Sequence, residues 1–182
     1  MLTYTELLGL LESGVIRGAN PAHVNAASID ITLGTTLLVE TYPNGGANVV
    51  DLMNKETPAM REIDLVKTGY YDLRPGEFCL AETVERFHLP NNLAAHYFLN
   101  SSLARAGLDA ALAMWCDPGW YGSVLTLEFK VNLNYHRLRL RPGMKCGQVV
   151  FERGEMVPDH ASYAVRGRYN GDTQVQASKG VR

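Results

Sequence analysis

Cysteine is scarce in this chain: Cys79, Cys116 and Cys146 are the only three, far apart among 182 residues. An odd, dispersed set does not make a disulfide framework and fits a reducing compartment. Charge of one sign is not in excess either. The 17 Lys and Arg against 19 Asp and Glu give a formal net charge of −2. A protein that coats nucleic acid carries a visible basic balance, so that class is disfavoured. No stretch approaches the roughly 18 apolar residues of a membrane span. The opening MLTYTELLGLLESG has no basic run ahead of an apolar core, so neither membrane insertion nor a signal peptide is expected. These absences together predict a cytoplasmic protein. The five histidines (23, 88, 96, 136 and 160) are scattered and no Cys-x-x-Cys occurs, so a compact metal cluster has no support. A P-loop glycine pattern and a Gly-x-Ser-x-Gly elbow are also missing.

What is present is ordinary globular composition, 46% hydrophobic and 20% charged, in a chain long enough to bury one core. Residues 5–13, TELLGLLES, read as a short amphipathic helix, with Thr5 as N-cap and Gly14 as stop. Helical periodicity is scarce after that. Residues 26–33 alternate as a strand that Gly34 ends, and 35–41 read as another. A turn cluster, YPNGG, and a polar, irregular stretch to about residue 69 follow. FCLAETVERFHL then reads as two strand pieces. LAAHYFLN, SVLTLEFKVN, HRLRLRPGM and KCGQVVFER continue the short-strand pattern. SSLARAGL (101–108) is the one mid-chain segment with helical character. The prediction is a mainly β domain, a barrel or sandwich, over residues 1–166. Residues 167–182, rich in Gly, Gln, Ser and Thr, read as a mobile tail.

Four segments could carry chemistry. In SVLTLEF, Val124, Thr126 and Glu128 share one face and Leu125, Leu127 and Phe129 the other. Glu128 is either a solvated carboxylate on the polar side of a half-buried strand or a proton-exchanging group at a pocket mouth, tuned upward by apolar neighbours. In NSSLARAGL, Ser101, Ser102 and Arg105 could converge on phosphate; alternatively Ser101 only caps the helix and Arg105 is a surface residue. In CDPGWYG, Asp117 belongs to a turn or presents its carboxylate to a ligand hydroxyl beside Trp120. The tail GRYNGDTQVQASKG is a disordered end or a lid over a bound ligand.

Read in order, these pieces resemble the dCTP deaminase branch of the dUTPase superfamily. VNAASIDITLG (24–34) resembles the family's N-terminal strand motif, and NSSLARAGL resembles Arg-Ser-Ser-Leu-Ala-Arg-x-Gly-Leu. DPGWYGSVLTLEF resembles Asp-Pro-Gly-Trp-x-Gly leading to Leu-Glu-Phe. LRPGMKCGQVVFER resembles Arg-Pro-Gly-Met-x-x-Gly-Gln, and RYNGDTQVQASK resembles the family's Lys-Tyr-Gln-Gly tail. The resemblance implies a distorted β-barrel or jelly roll forming a homotrimer, with active sites between subunits. It implies hydrolytic deamination of dCTP to dUTP and ammonia without zinc, with Mg2+ carried on the nucleotide triphosphate. The zinc-deaminase signature, His-x-Glu with Pro-Cys-x-x-Cys, is absent.

Residue by residue, the resemblance makes Glu128 the catalytic glutamate. Ser101 and Arg105 hold the site and the phosphates, and Ser102 makes a second phosphate contact. Ala113 marks the segment whose backbone holds the attacking water, and Asp117 lies near the 3′-hydroxyl with Trp120 beside it. Tyr169, Gln174 and Lys179 belong to a tail that folds over the triphosphate. No metal ligand and no nucleic-acid or membrane partner is implied.

The sequence departs from the family pattern in three places. Asn100 stands where the family has an arginine. Residues 109–116 run about one residue short, and the interval from Asp117 to Glu128 runs one long. A β-bulge is required there if Glu128 is to keep its facing. The competing readings are a dUTPase-like or bifunctional, dUMP-forming hydrolase and a non-catalytic deoxynucleotide-binding regulator.

Overall fold

A computed structural model describes residues 1–43, 49–111 and 113–181. The turn cluster at 42–46 falls largely outside the described residues, as does Leu112 within the segment 109–116. The first helix, α1 (Tyr4–Glu12), starts one residue earlier than predicted. Its N-cap is Thr3 rather than Thr5: the Glu6 carboxylate accepts the Thr3 N–H at 3.1 Å, which satisfies a donor at the helix entry. Leu7 and Leu10 turn into the core.

The rest is mainly β, as predicted. The strands are β1 (Ile16–Arg17), β2 (Ile29–Glu40), β3 (Met60–Asp64), β4 (Tyr71–Leu73), β5 (Phe78–His88), β6 (Leu93–Leu99), β7 (Leu108–Ala110), β8 (Trp115–Cys116), β9 (Tyr121–Val131), β10 (Leu138–Leu140) and β11 (Lys145–Arg153). The large sheet runs β7-β9-β5-β2-β11-β6-β8 and curls into a half-barrel, with β1 on β5 and β3 on β2; β4 and β10 form a separate ribbon. Short helices α2 (Leu65–Thr68) and α3 (Ser101–Arg105) join strands, and α4 (Tyr163–Arg166) follows β11.

Two pairs of predicted strands are single strands. Gly34 does not end β2; the strand continues to Glu40. Its first half pairs with β11 and its second with β3, and its register on β5 shifts between Leu33 and Leu37. Such a bulge bends a strand and leaves backbone donors unpaired. The Glu82 carboxylate takes two of them, Thr36 N–H at 3.1 Å and Thr35 N–H at 3.4 Å. Position 34 must be glycine for this, since a Cβ there would stand 2.5 Å from Glu82 Cγ. The second merged pair is β5, continuous from Phe78 to His88 despite an irregularity between Glu82 and Arg86.

The stretch read as irregular to residue 69 contains β3 and α2. Asp64 caps α2 by accepting the Val66 N–H at 2.9 Å. The core is built around fully buried Phe129, Phe151, Leu33 and Leu37. Burying each such side chain contributes about 1.5–3 kcal/mol.

Candidate active site

The site grows from the ladder between β5 and β9. Leu80 lies opposite Glu128 and Glu82 opposite Thr126. Directly opposed residues point to the same face. That face carries Glu128, while Leu127 and Phe129 on the other enter the core. The extra residue expected between Asp117 and Glu128 has a place in this ladder. Phe87 pairs with Ser123 but His88 pairs with Tyr121, so Gly122 is left over, at φ +73°. A glycine in the left-handed region is what such a bulge requires.

Above this face is a cavity of about 500 Å³. Glu128, Thr126 and Leu80 line it from the sheet. Thr57, Pro58 and Met60 come from the segment that leads into β3. Ala113, Trp115, Asp117 and Trp120 come from the segment around β8, and Tyr169, Gln176 and Ser178 from the tail.

Glu128 is half-buried, and loss of water pushes its carboxyl up to about 7, opposed only by a hydrogen bond from its own backbone. Its cross-strand partner is hydrocarbon, and the wall also holds Phe78 and Met60. A carboxyl that titrates near neutrality can both accept and return a proton. Cys116 also borders the cavity, but burial pushes its thiol up to about 12, so it offers no thiolate nucleophile at neutral pH.

Asp117 accepts the indole N–H of Trp115 at 2.9 Å. Trp120 is buried, stacks on Phe87 with ring centres 5.4 Å apart, and donates its indole N–H to the Tyr169 carbonyl at 2.9 Å. The Ser123 hydroxyl donates to the same carbonyl at 2.9 Å, and Asn170 accepts the Tyr121 N–H at 2.8 Å. These bonds fasten the root of the tail.

Further along, Val175 is buried and donates its N–H to Glu82 at 2.8 Å, and Gln176 N–H reaches the Thr126 hydroxyl at 3.3 Å. Lys179 pairs with Asp172 at 2.9 Å, its ammonium 4.6 Å from the centre of the Tyr169 ring. Arg168 donates to the carbonyls of Lys179 and Gly180, closing the tail on itself. The tail thus lies folded back on the sheet, with Tyr169, Asp172, Gln176, Ala177 and Ser178 on the cavity wall.

Of the residues singled out in the sequence, Glu128, Ala113, Asp117, Trp120 and Tyr169 line one cavity. Gln174 is exposed and outside it, and Gln176 forms the wall instead; Lys179 is bound up with Asp172. Ser101, Ser102 and Arg105 are exposed on α3 and do not border the chain's own cavity. Ser101 is not the cap of that helix. Asn100 is, its side-chain oxygen accepting the Ser102 N–H at 2.9 Å, a bond that an arginine could not make. Sequence reasoning missed Glu82, Gln176 and the 57–60 wall. The only signal for Glu82 was an acid inside an apolar strand.

This curled β domain, with a carboxyl set in an apolar cavity under a folded tail, has known relatives. The family model for dCTP deaminase-like proteins matches residues 1–154. A dUMP-forming dCTP deaminase of Coprothermobacter proteolyticus is 38% identical over 161 residues, 86% of this chain and 82% of the relative. A dCTP deaminase of Haloarcula marismortui is 34% identical over 158 residues, 86% of this chain and 80% of the relative. Among solved structures, the 2′-deoxycytidine 5′-triphosphate deaminase of Agrobacterium tumefaciens superposes with a TM-score of 0.65 at 22% identity, over 84% of this chain. The chain spans about half of that protein, 47% of its length, so the likeness is one of fold. The chain belongs to the dCTP deaminase-like family.

Proposed function

We propose that this protein hydrolytically deaminates dCTP, with Glu128 as the general base and without zinc. One observation carries the reading: Glu128, its carboxyl raised to about 7 by burial, is the carboxylate that the sheet presents to the cavity beside Leu80. Glu128 takes a proton from water as the oxygen attacks C4 of cytosine. As a carboxylic acid it gives that proton to ring N3, then takes the second proton from the C4 hydroxyl and delivers it to the leaving amino group. Ammonia departs, the C4–N bond is exchanged for C4–O, and uracil remains. The backbone near Ala113 holds the attacking water, Asp117 meets the 3′-hydroxyl, and Trp120 and Tyr169 shape the pocket.

Among the described residues no Lys or Arg lines the chain's own cavity, so the phosphates need cations from elsewhere. Exposed Ser101, Ser102 and Arg105 serve the cavity of a neighbouring subunit in a homotrimer, which is why they do not border their own. Magnesium rides on the triphosphate. In this reading its ligands are phosphate oxygens. Among the described residues no helix is long and apolar enough to cross a membrane.

The names of the relatives favour dUMP over dUTP as the nucleotide released, since the Coprothermobacter protein and an Aquifex aeolicus relative 33% identical over 172 residues are both dUMP-forming. Incubation with dCTP and magnesium, with ammonia and nucleotides both resolved, tests the reading. Ammonia with dUMP or dUTP supports it. Pyrophosphate from dUTP without any ammonia from dCTP would replace deamination with a dUTPase-like reaction.

A further inference from the structure

Glu82 is an acid in the middle of an apolar strand, 7% exposed, and outside the cavity lining. Both of its oxygens accept. Oε1 takes the backbone N–H groups of Thr36 and Thr35, freed by the bulge in β2. Oε2 takes the Val175 N–H of the tail at 2.8 Å. Val175 is itself buried, and its neighbour Gln176, a cavity-wall residue, is tied to Thr126 directly opposite Glu82. One carboxylate therefore joins a fixed point of the barrel to a point of the tail. It does so on the face that carries Glu128, two residues along β9 from Thr126.

Three backbone N–H donors converge on this group. A carboxylate accepts from all of them, whereas an amide must turn an NH2 toward one side and lose that acceptor. The approach is close enough to require Gly34. Filling the bulge alone would employ one oxygen. The other reaches 93 residues along the chain to the segment that walls the cavity.

We infer that Glu82 is a positioning residue for the proposed deamination: it latches the tail at Val175 and thereby sets Gln176 and Ser178 against the nucleotide. It touches neither substrate nor reacting atoms. The inference rests on the proposed function for its effect on turnover. The latch itself can be read without turnover.

The test compares wild type, Glu82→Gln, Val175→Pro and the double variant. Val175→Pro removes the tail's donor and leaves the bulge contacts of Glu82 intact, so it carries the test alone if Glu82→Gln does not fold. Hydrogen exchange on the 173–178 segment of the nucleotide-free protein should quicken by about tenfold or more in each variant. KM for magnesium-dCTP should rise about tenfold with kcat within about twofold, because closure and not proton transfer is weakened. The double variant should be no worse than the stronger single, as two ends of one bond require. Unchanged tail exchange in Val175→Pro overturns the latch. A loosened tail with unchanged KM overturns its role in positioning. A loosened tail in a protein whose wild type releases no ammonia supports the latch and rejects the deaminase reading.

Discussion

Glu128 lies directly opposite Leu80 across the β5–β9 ladder, so the nearest cross-strand neighbour of the carboxyl is a hydrocarbon. Burial, with no cation among the described residues to offset it, holds the group near 7. As a base, Glu128 must be ionised to act, so kcat/KM for dCTP is expected to rise with pH through an inflection near 7. Leu80→Asn places a hydrogen-bonding group beside the carboxylate and should move the inflection down by about one pH unit. A pH–rate profile of both proteins checks this.

The same carboxyl makes stability depend on pH in a definite direction. Its folded pKa is raised, so the folded state binds the proton more tightly than the unfolded chain does. That contribution is complete below the ordinary glutamate value of 4.5 and is lost as pH rises through about 7. Glu128→Gln keeps a neutral side chain at every pH. Urea unfolding should find the variant more stable than wild type at pH 8, by up to about 3 kcal/mol, with the gain gone at pH 4.

Much of this site was legible in the sequence, and the rest depended on pairing. The alternation of SVLTLEF put Glu128 and Thr126 on one face, and the ladder kept them there. The bulge that Glu128 needed has its glycine, Gly122. Glu82 could not be read because its partners, Thr36 and Val175, lie 46 and 93 residues away in sequence. Their meeting is fixed by strand register and tail placement. Gly34 looked like a strand end for a related reason: its role is to admit Glu82, and local pattern does not carry close approach. The segment 57–64 is too polar to announce a strand, and its pairing with β2 makes it one. Asn100 read as a departure from the family's arginine, and in the fold it is the cap of α3.

If Arg105 serves a neighbouring cavity, two defects can complement. Glu128→Gln and Arg105→Ala homotrimers should each be nearly inactive. Mixed in equal amounts under conditions that exchange subunits, they should recover roughly a quarter of the wild-type sites, those that pair an intact Glu128 with an intact Arg105 from the next subunit. Activity after mixing, set against the unmixed proteins, reads this out. No recovery would place both residues in one subunit's site.

Removing residues 167–182 takes away Tyr169, the Lys179–Asp172 pair and the Val175 anchor, but almost none of the sheet. Among the described residues Val175 is the one tail side chain in the buried apolar set. Thermal unfolding should therefore shift by only a few degrees, consistent with about 1–2 kcal/mol. KM for dCTP should rise by about tenfold or more. Titrations of rate against substrate, alongside melting curves, separate the two effects.

The most direct measurement is ammonia release from dCTP with magnesium by wild type and by Glu128→Gln, at matched folded-protein content and matched nucleotide binding. The account predicts release by wild type and a loss on the order of 10³-fold or more in the variant, with binding retained. Wild-type-like ammonia release by Glu128→Gln would contradict it.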